Sequence, residues 1–205
     1  FSACKETSPV ISLAGEWQFA MDSTDVGLSE KWFDRSFADK IRLPGTTDEA
    51  GYGIPNSLPP SVEKPQILHL TRKNSYIGPV WYSREVTIPS GWKGKSVELK
   101  LERVIWQTSV WVDGNPVPGS CESLISPHYF DLTGYLTPGK HQLTIRINND
   151  MIYNIGDKGH VYSEYTQSIW NGAVGRIRLV ASDPVRFSNP QVFTRTTNGP
   201  CTLQV

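Results

Sequence analysis

The stretch WYSREVTIPSGWKGKSVELKLERVIWQTSVWVDGNPV, Trp81 to Val117, reads as consecutive antiparallel strands with a turn at each break. Val97, Leu99 and Leu101 alternate with Glu98, Lys100 and Glu102, the period-2 pattern of a strand with one buried and one wet face. Val110 and Val112 continue it until Asp113-Gly114, a dipeptide tolerant of the positive φ that a tight hairpin requires. Trp111-Val112 and Pro116-Val117 are therefore read as arms of one hairpin. The fold class that follows is all-β, and a β-sandwich leads.

Working outward, Ser12 to Phe19 (SLAGEWQF) opens the domain as one alternating strand with Trp17 and Phe19 inward. Leu28, Trp32 and Phe33 stand at helical spacing, which predicts a short helical turn capping one end of the sandwich, its aromatics acting as plugs. Ile41 to Gly45 is a short strand ended by a turn. Thr46 to Tyr76 holds Pro55, Pro59, Pro60 and Pro65 without sustained periodicity; a loop of that length inside a domain commonly builds a binding surface. His128 to Thr133 forms the next strand, and Leu143, Ile145 and Ile147 alternate with Gln142, Thr144 and Arg146 in another. Met151 to Ser168 is a second long irregular stretch, and Gly175 to Ala181 is the last strand. Trp81-Tyr82 is placed in or near the core, while Trp92 and Trp106, beside turns, are expected at the surface. Ser182-Asp183-Pro184 marks a boundary, since proline lacks a ladder donor and restrains its predecessor. The division is a polar tail over 1–10, a sandwich over 11–183, and a new strand pattern over 184–205.

Composition excludes several functions. Lysine plus arginine and aspartate plus glutamate each total 20, so no global field draws the chain to nucleic acid or an anionic membrane. No apolar run approaches the roughly 20 residues that span a bilayer. Cys4, Cys121 and Cys201 are far apart and lack zinc-ligand spacing; Cys121 and Cys201 are either bridged in an oxidising compartment or free. Phe1-Ser2-Ala3-Cys4 looks like the end of a bacterial lipoprotein signal. Its alternative reading is an ordinary terminal thiol. The first reading makes the parent an exported periplasmic or cell-surface lipoprotein anchored through Cys4.

The motifs Leu13-Ala14-Gly15-Glu16-Trp17-Gln18-Phe19, Leu43-Pro44-Gly45, Gly78 to Arg84 (GPVWYSR), Val110 to Gly114 (VWVDG), Phe130-Asp131-Leu132-Thr133 and Trp170 to Gly175 (WNGAVG) occur in this order. Together they resemble the amino-terminal sugar-binding domain of glycoside hydrolase family 2, the family of β-galactosidases, β-glucuronidases and β-mannosidases. The resemblance implies a jelly-roll, galactose-binding-domain-like sandwich, then an immunoglobulin-like domain whose first strands would be residues 184–205, then a (β/α)₈ barrel. It also implies that both catalytic glutamates lie on the barrel, where retaining hydrolysis needs carboxyl groups about 5 Å apart. A barrel needs about 250 residues, so the stretch in hand is expected to be non-catalytic.

Two carboxylate pairs, Asp48 with Glu49 and Asp157 with Glu164, sit where loops can converge. Solvated loop charge is the simpler account of both. No GxSxG, HExxH or phosphate-loop pattern is present, and no metal or cofactor is called for. His128 and His141 fall in or beside strands and read as structural. A sugar presents hydroxyls around apolar C–H faces, and the second long loop offers matching chemistry in Asp157, His160, Glu164, Tyr165 and Gln167, with Tyr153 and Tyr162 nearby. In some family relatives an acidic or amide group just before the Trp-x-x-x-Gly segment contacts sugar; here that position is Ser168. Three functions remain: an accessory domain that docks on a barrel and shapes its β-glycoside rim, an autonomous carbohydrate-binding module, and a structural or adhesive sandwich.

Overall fold

A computed structural model describes residues 8–57, 73–154, 169–185, 193–195 and 202–204. Its strands are β1 (Val10–Ser12), β2 (Gly15–Met21), β3 (Asp39–Leu43), β4 (Gly45–Thr46), β5 (Ile54–Pro55), β6 (Asn74–Ser75), β7 (Pro79–Ile88) and β8 (Ser96–Arg103). They continue with β9 (Gln107–Val112), β10 (Asn115–Pro116), β11 (Cys121–Glu122), β12 (His128–Asp131), β13 (Gly139–Asn148), β14 (Gly172–Ser182), β15 (Phe193–Arg195) and β16 (Thr202–Gln204). Helical structure among the described residues is limited to 3₁₀ turns at Trp32–Asp34 and Ser90–Trp92.

Two antiparallel sheets form the sandwich. One has five strands in the order β1-β14-β8-β12, with β4 also on β14; the other has seven in the order β10-β9-β13-β7-β2-β3, with β11 also on β9. This is the all-β jelly-roll sandwich the sequence led to. β5 pairs with β6 and β15 with β16 in separate two-stranded ribbons.

Alternation puts the expected residues inside. Val97, Leu99 and Leu101 of β8 face Trp17 and Phe19 of β2, Tyr82 of β7 and Leu143, Ile145 and Ile147 of β13 across a common core. Apolar area removed from water is worth roughly 25 cal/mol per Å², so these positions supply most of the driving force. Asp113 and Gly114 take φ 49° and 75°, and Asn115 and Pro116 fold back onto Val112 and Trp111. The hairpin is the one read from Asp-Gly.

The structure departs from the sequence reading at three places. Ser12 to Phe19 is not one strand: β1 belongs to the five-stranded sheet and β2 to the seven-stranded one. The chain crosses between sheets at Leu13-Ala14, with Gly15 at φ 131°, and the Arg84 guanidinium ties the crossing by donating to the carbonyls of Leu13 at 2.7 Å and Ala14 at 3.1 Å. The Trp32–Asp34 turn does not cap an end of the sandwich but lies on the outer face of the seven-stranded sheet. There Phe33 stacks on Trp111 at 5.5 Å, and Trp32 and Trp111 lie 6.4 and 5.0 Å from Trp81. The same segment is anchored by Asp22, buried and accepting from Trp81 Nε1 and the amides of Val26 and Gly27. This cover explains why Thr144 and Arg146, on the polar side of the β13 alternation, are buried as well. Finally, Trp92 and Trp106 are buried rather than exposed, because Trp92 joins the main core and Trp106 packs with Ile105, Leu124, Ile152 and Trp170 in a second cluster.

Candidate functional site: the loop-bearing end

The register assigns one end of the sandwich to both long loops. Asn148 pairs with Pro79 and with Gln107, Val174 with Arg103, and Gly172 with Thr46. The roots of the 47–76 loop and of the 149–171 loop therefore emerge together. Asp157, His160, Glu164, Tyr165 and Gln167 lie outside the described residues, as does Cys4.

A buried amide network joins the roots. Asn171 Nδ2 donates to the Gly78 carbonyl at 2.8 Å and also approaches the Ile147 carbonyl at 3.3 Å and Asn149 Oδ1 at 3.4 Å. Its Oδ1 accepts from the Tyr82 hydroxyl at 3.0 Å. Asn149 in turn accepts from the Gly78 amide at 2.9 Å and donates to the Tyr76 carbonyl at 3.0 Å. The Asn171 carbonyl takes the Thr47 amide at 2.9 Å. Buried polar groups are costly unless paired, so this set fixes segments 47, 76–79, 149 and 171 relative to one another. Burial pushes the Tyr82 hydroxyl far above its ordinary pKa, and burial, with the Asp22 charge second, pushes Tyr76 up to about 12. Both stay neutral donors.

Beside this network stands an aromatic and acidic ledge. The Tyr153 hydroxyl donates to Glu122 Oε2 at 2.7 Å, and Gln107 Nε2 to Oε1 at 2.8 Å. These bonds hold the Glu122 carboxyl below the usual range, the Tyr153 bond foremost. Tyr153 also meets the Trp106 ring at 6.3 Å, and Trp170 packs on Ile105 and Trp106. Among the described residues the buried Trp170 indole N–H has no hydrogen-bond partner. The ledge pairs an exposed ring with a fixed carboxylate, the combination that recognises a pyranose through its C–H face and hydroxyls.

Other sequence candidates resolve as scaffold. Asp48 accepts the Asn74 amide at 2.6 Å, and Glu49 the Thr46 amide at 3.2 Å, so both brace the first loop. His128 is buried beside the Thr108 hydroxyl at 2.9 Å, and burial holds its pKa below the ordinary imidazole value. His141 sits 2.6 Å from Asp113 Oδ2 and 2.8 Å from the Thr137 carbonyl, locking the Asp113-Gly114 hairpin. Among the described residues Cys121 is a free thiol; Cys201, with which a bridge was the alternative, lies outside them. Among the described residues no group of three or more His, Cys, Asp or Glu is placed to hold a metal ion, and no helix is long and apolar enough to cross a membrane.

Sequence reasoning missed Glu122 and Gln107, because only the register brings them beside Tyr153.

Residues 10–173 match the family model described as glycosyl hydrolases family 2, sugar binding domain. A β-glucuronidase of Formosa agariphila is 26% identical over 132 residues, 60% of this chain and 13% of that protein. Among solved structures, a β-glucuronidase of an uncultured Clostridium sp. superposes with a TM-score of 0.72 at 20% identity, covering 99% of this chain and 34% of that one. A Ruminococcus gnavus β-glucuronidase gives 0.66 at 18% identity, covering 88% of this chain and 30% of that one. At these identities the structural likeness establishes the fold alone.

Proposed function

Because this chain belongs to glycosyl hydrolase family 2 and carries that family's sugar binding domain, we propose that it is the non-catalytic accessory domain of a longer, exported glycoside hydrolase. In this reading the domain docks on a catalytic barrel supplied elsewhere in the parent protein and shapes the rim through which a β-glycoside enters. The names of the relatives make β-glucuronides the first substrate class to test. Asp157, His160, Glu164, Tyr165 and Gln167 supply the sugar contacts from the second loop. Residues 184–205 begin an immunoglobulin-like domain, and Cys4 carries the lipid that anchors the parent at the cell surface.

The observation that carries the proposal is the buried Asn171–Asn149–Tyr82 network, which roots both long loops at one end. A rim must be held to within a fraction of an ångström to orient substrate, and an irregular loop acquires that precision only from a rigid base. The test is kinetic. In the parent enzyme, Glu164→Gln and His160→Ala are expected to raise KM for oligosaccharide β-glucuronides about tenfold while changing hydrolysis of a small aryl β-glucuronide less. Unchanged kinetics on both substrates, together with no saturable glycan binding by the chain, would leave it as scaffold only. Metabolic labelling with palmitate, lost in Cys4→Ala, checks the anchor.

A further inference from the structure

A strap over residues 22–27 lies on the outer face of the seven-stranded sheet and touches strands at the roots of both long loops. Asp22 follows β2 directly, and its amide donates to the Pro79 carbonyl at 2.9 Å, one step beyond the Met21–Val80 pair. The Tyr76 hydroxyl donates to the same carbonyl at 2.8 Å. Pro79 opens β7, so the exit of the first loop is held between Tyr76 and the strap. The Asp22 carboxylate, 1% exposed, accepts from the Val26 and Gly27 amides at 2.9 and 2.8 Å and from Trp81 Nε1 at 3.0 Å. A Cβ at residue 27 would overlap Trp81 Nε1 and Asp22 Oδ2, so glycine is needed there for the strap to close on the indole. Within the strap Asp25 takes φ 51°, and its Oδ1 accepts from Arg146 Nη2 at 2.6 Å. Arg146 lies on β13, whose last residue Asn148 leads into the second loop. Its side chain is 6% exposed against 57% for Asp25, and among the described residues its Nε has no partner. The clasp is therefore lopsided: the carboxylate can turn into water, whereas the guanidinium cannot follow. Removing one partner of a buried ion pair strands the other charge at high cost, so Arg146 favours the closed strap.

We propose that this strap is an outer clamp on the rim, with Asp22 and Asp25 as positioning residues: it fixes the root of the first loop through Pro79 and the root of the second through Arg146. For its effect on substrate the proposal rests on the reading of the loop-bearing end as a rim, whereas the clamp itself is a property of the chain alone. The Asn171 network grips the same two roots from the core side, through Gly78 and Asn149. The strap grips them from the opposite face of the sheet. A loop base gripped on one face can still tilt; gripped on both, it holds the fraction of an ångström that orienting a substrate demands. The strap thus adds to the rim a group of residues that never reaches the sugar and acts through Pro79 and Arg146.

The test is amide hydrogen exchange of the full chain in Asp25→Asn, a change at an exposed side chain that leaves the core intact. Opening the clasp is expected to speed exchange at the Gly78 amide, which bonds Asn149, about tenfold, with the Gln142 amide at the opposite end unchanged. Gly27→Ala, which displaces the strap without touching a charge, is expected to act on the same amide. Adding Arg146→Met to Asp25→Asn removes the stranded cation and is expected to return the urea midpoint toward wild type while Gly78 stays fast, which separates the clamp from global stability. In the parent enzyme, Asp25→Asn is expected to raise KM for oligosaccharide β-glucuronides several-fold with kcat unchanged. Acceleration confined to the Val26 and Gly27 amides, with Gly78 at the wild-type rate, would make the strap a cover only and overturn the proposal. Fast exchange at Gly78 with unaltered KM, where Glu164→Gln does raise KM, would overturn the positioning role and leave the accessory-domain reading standing. Fast exchange at Gly78 with neither variant altering kinetics would count against the accessory-domain reading and support the clamp.

Discussion

Replacing Asn171 by alanine tests whether the buried network holds the two loop roots together. The side chain is 1% exposed and serves two strong partners, the Tyr82 hydroxyl at 3.0 Å and the Gly78 carbonyl at 2.8 Å. Truncation strands both in a site that excludes water. Each orphaned group costs about 1–3 kcal/mol, so the expected loss is roughly 2–6 kcal/mol, a large share of a typical total near 5–15 kcal/mol. Urea denaturation followed by tryptophan fluorescence reads this directly. With m near 3 kcal/mol/M, the midpoint falls by roughly 0.7–2 M. A second variant isolates the cause: Tyr82→Phe removes the stranded hydroxyl, so the double mutant is expected to cost about 1 kcal/mol less than the sum of the singles. Hydrogen exchange at the Thr47 and Gly78 amides, bonded to the Asn171 carbonyl and to Asn149, is expected to accelerate in Asn171→Ala before the core strands open. A midpoint shift below about 0.3 M, which is about 1 kcal/mol at that slope, or strict additivity in the cycle would refute the reasoning.

Gly172→Ala should be among the most damaging single changes, because a Cβ there would collide with the Gly45 carbonyl oxygen and the residue sits at φ 138°; a fall in Tm larger than that of Gly91→Ala, where the same atom meets open space, is the check. Trp81→Ala removes a fully buried indole, its bond to Asp22 and its contacts with Trp32 and Trp111, for an expected cost of about 3–5 kcal/mol, and a chemical denaturation curve close to wild type would count against the covered-face packing. At Asp113, burial works to raise the carboxyl pKa, yet bonds from His141 and the Gln142 amide prevail and depress it. Its contribution is thus complete above the ordinary value near 3.8 and lost as pH falls through the lower folded value, so the stability gap between wild type and Asp113→Asn should close only in that acid window; a gap independent of pH contradicts it. Tyr76 is raised to about 12, so the stability it contributes is full below about pH 10 and disappears as pH rises through about 12. In absorbance at 295 nm, Tyr76→Phe should remove signal only at the top of the native titration.

Much of the fold was legible because it depends on local periodicity. Val97-Leu99-Leu101 and Leu143-Ile145-Ile147 alternate, and Asp113-Gly114 supplies a pair of positive-φ residues that reverses the chain in two residues. These features bury one face of each strand and require no knowledge of distant partners. The sheet switch at Leu13-Ala14 was invisible because apolar alternation runs through it unbroken; only the Arg84 side chain, some seventy positions away, distinguishes a crossing from a continuous strand. Likewise Trp32 and Phe33 announce themselves as apolar, but whether they cover an end or a face depends on where Trp81 and Trp111 stand.

The sequence by itself determined the all-β class, the position of the regularly alternating strands, their inner faces and the family signature, since each follows from side-chain type at fixed spacing along one segment. The tertiary structure alone decided which polar residues act together. Asn149 and Asn171 are ordinary loop residues until the sheets bring them into one buried network with Tyr82, and Asp25 and Arg146, 121 positions apart, form one clasp only when the strap lies on the sheet. Register is a long-range quantity, settled by the whole core at once, so the sites it creates cannot be read from any one strand.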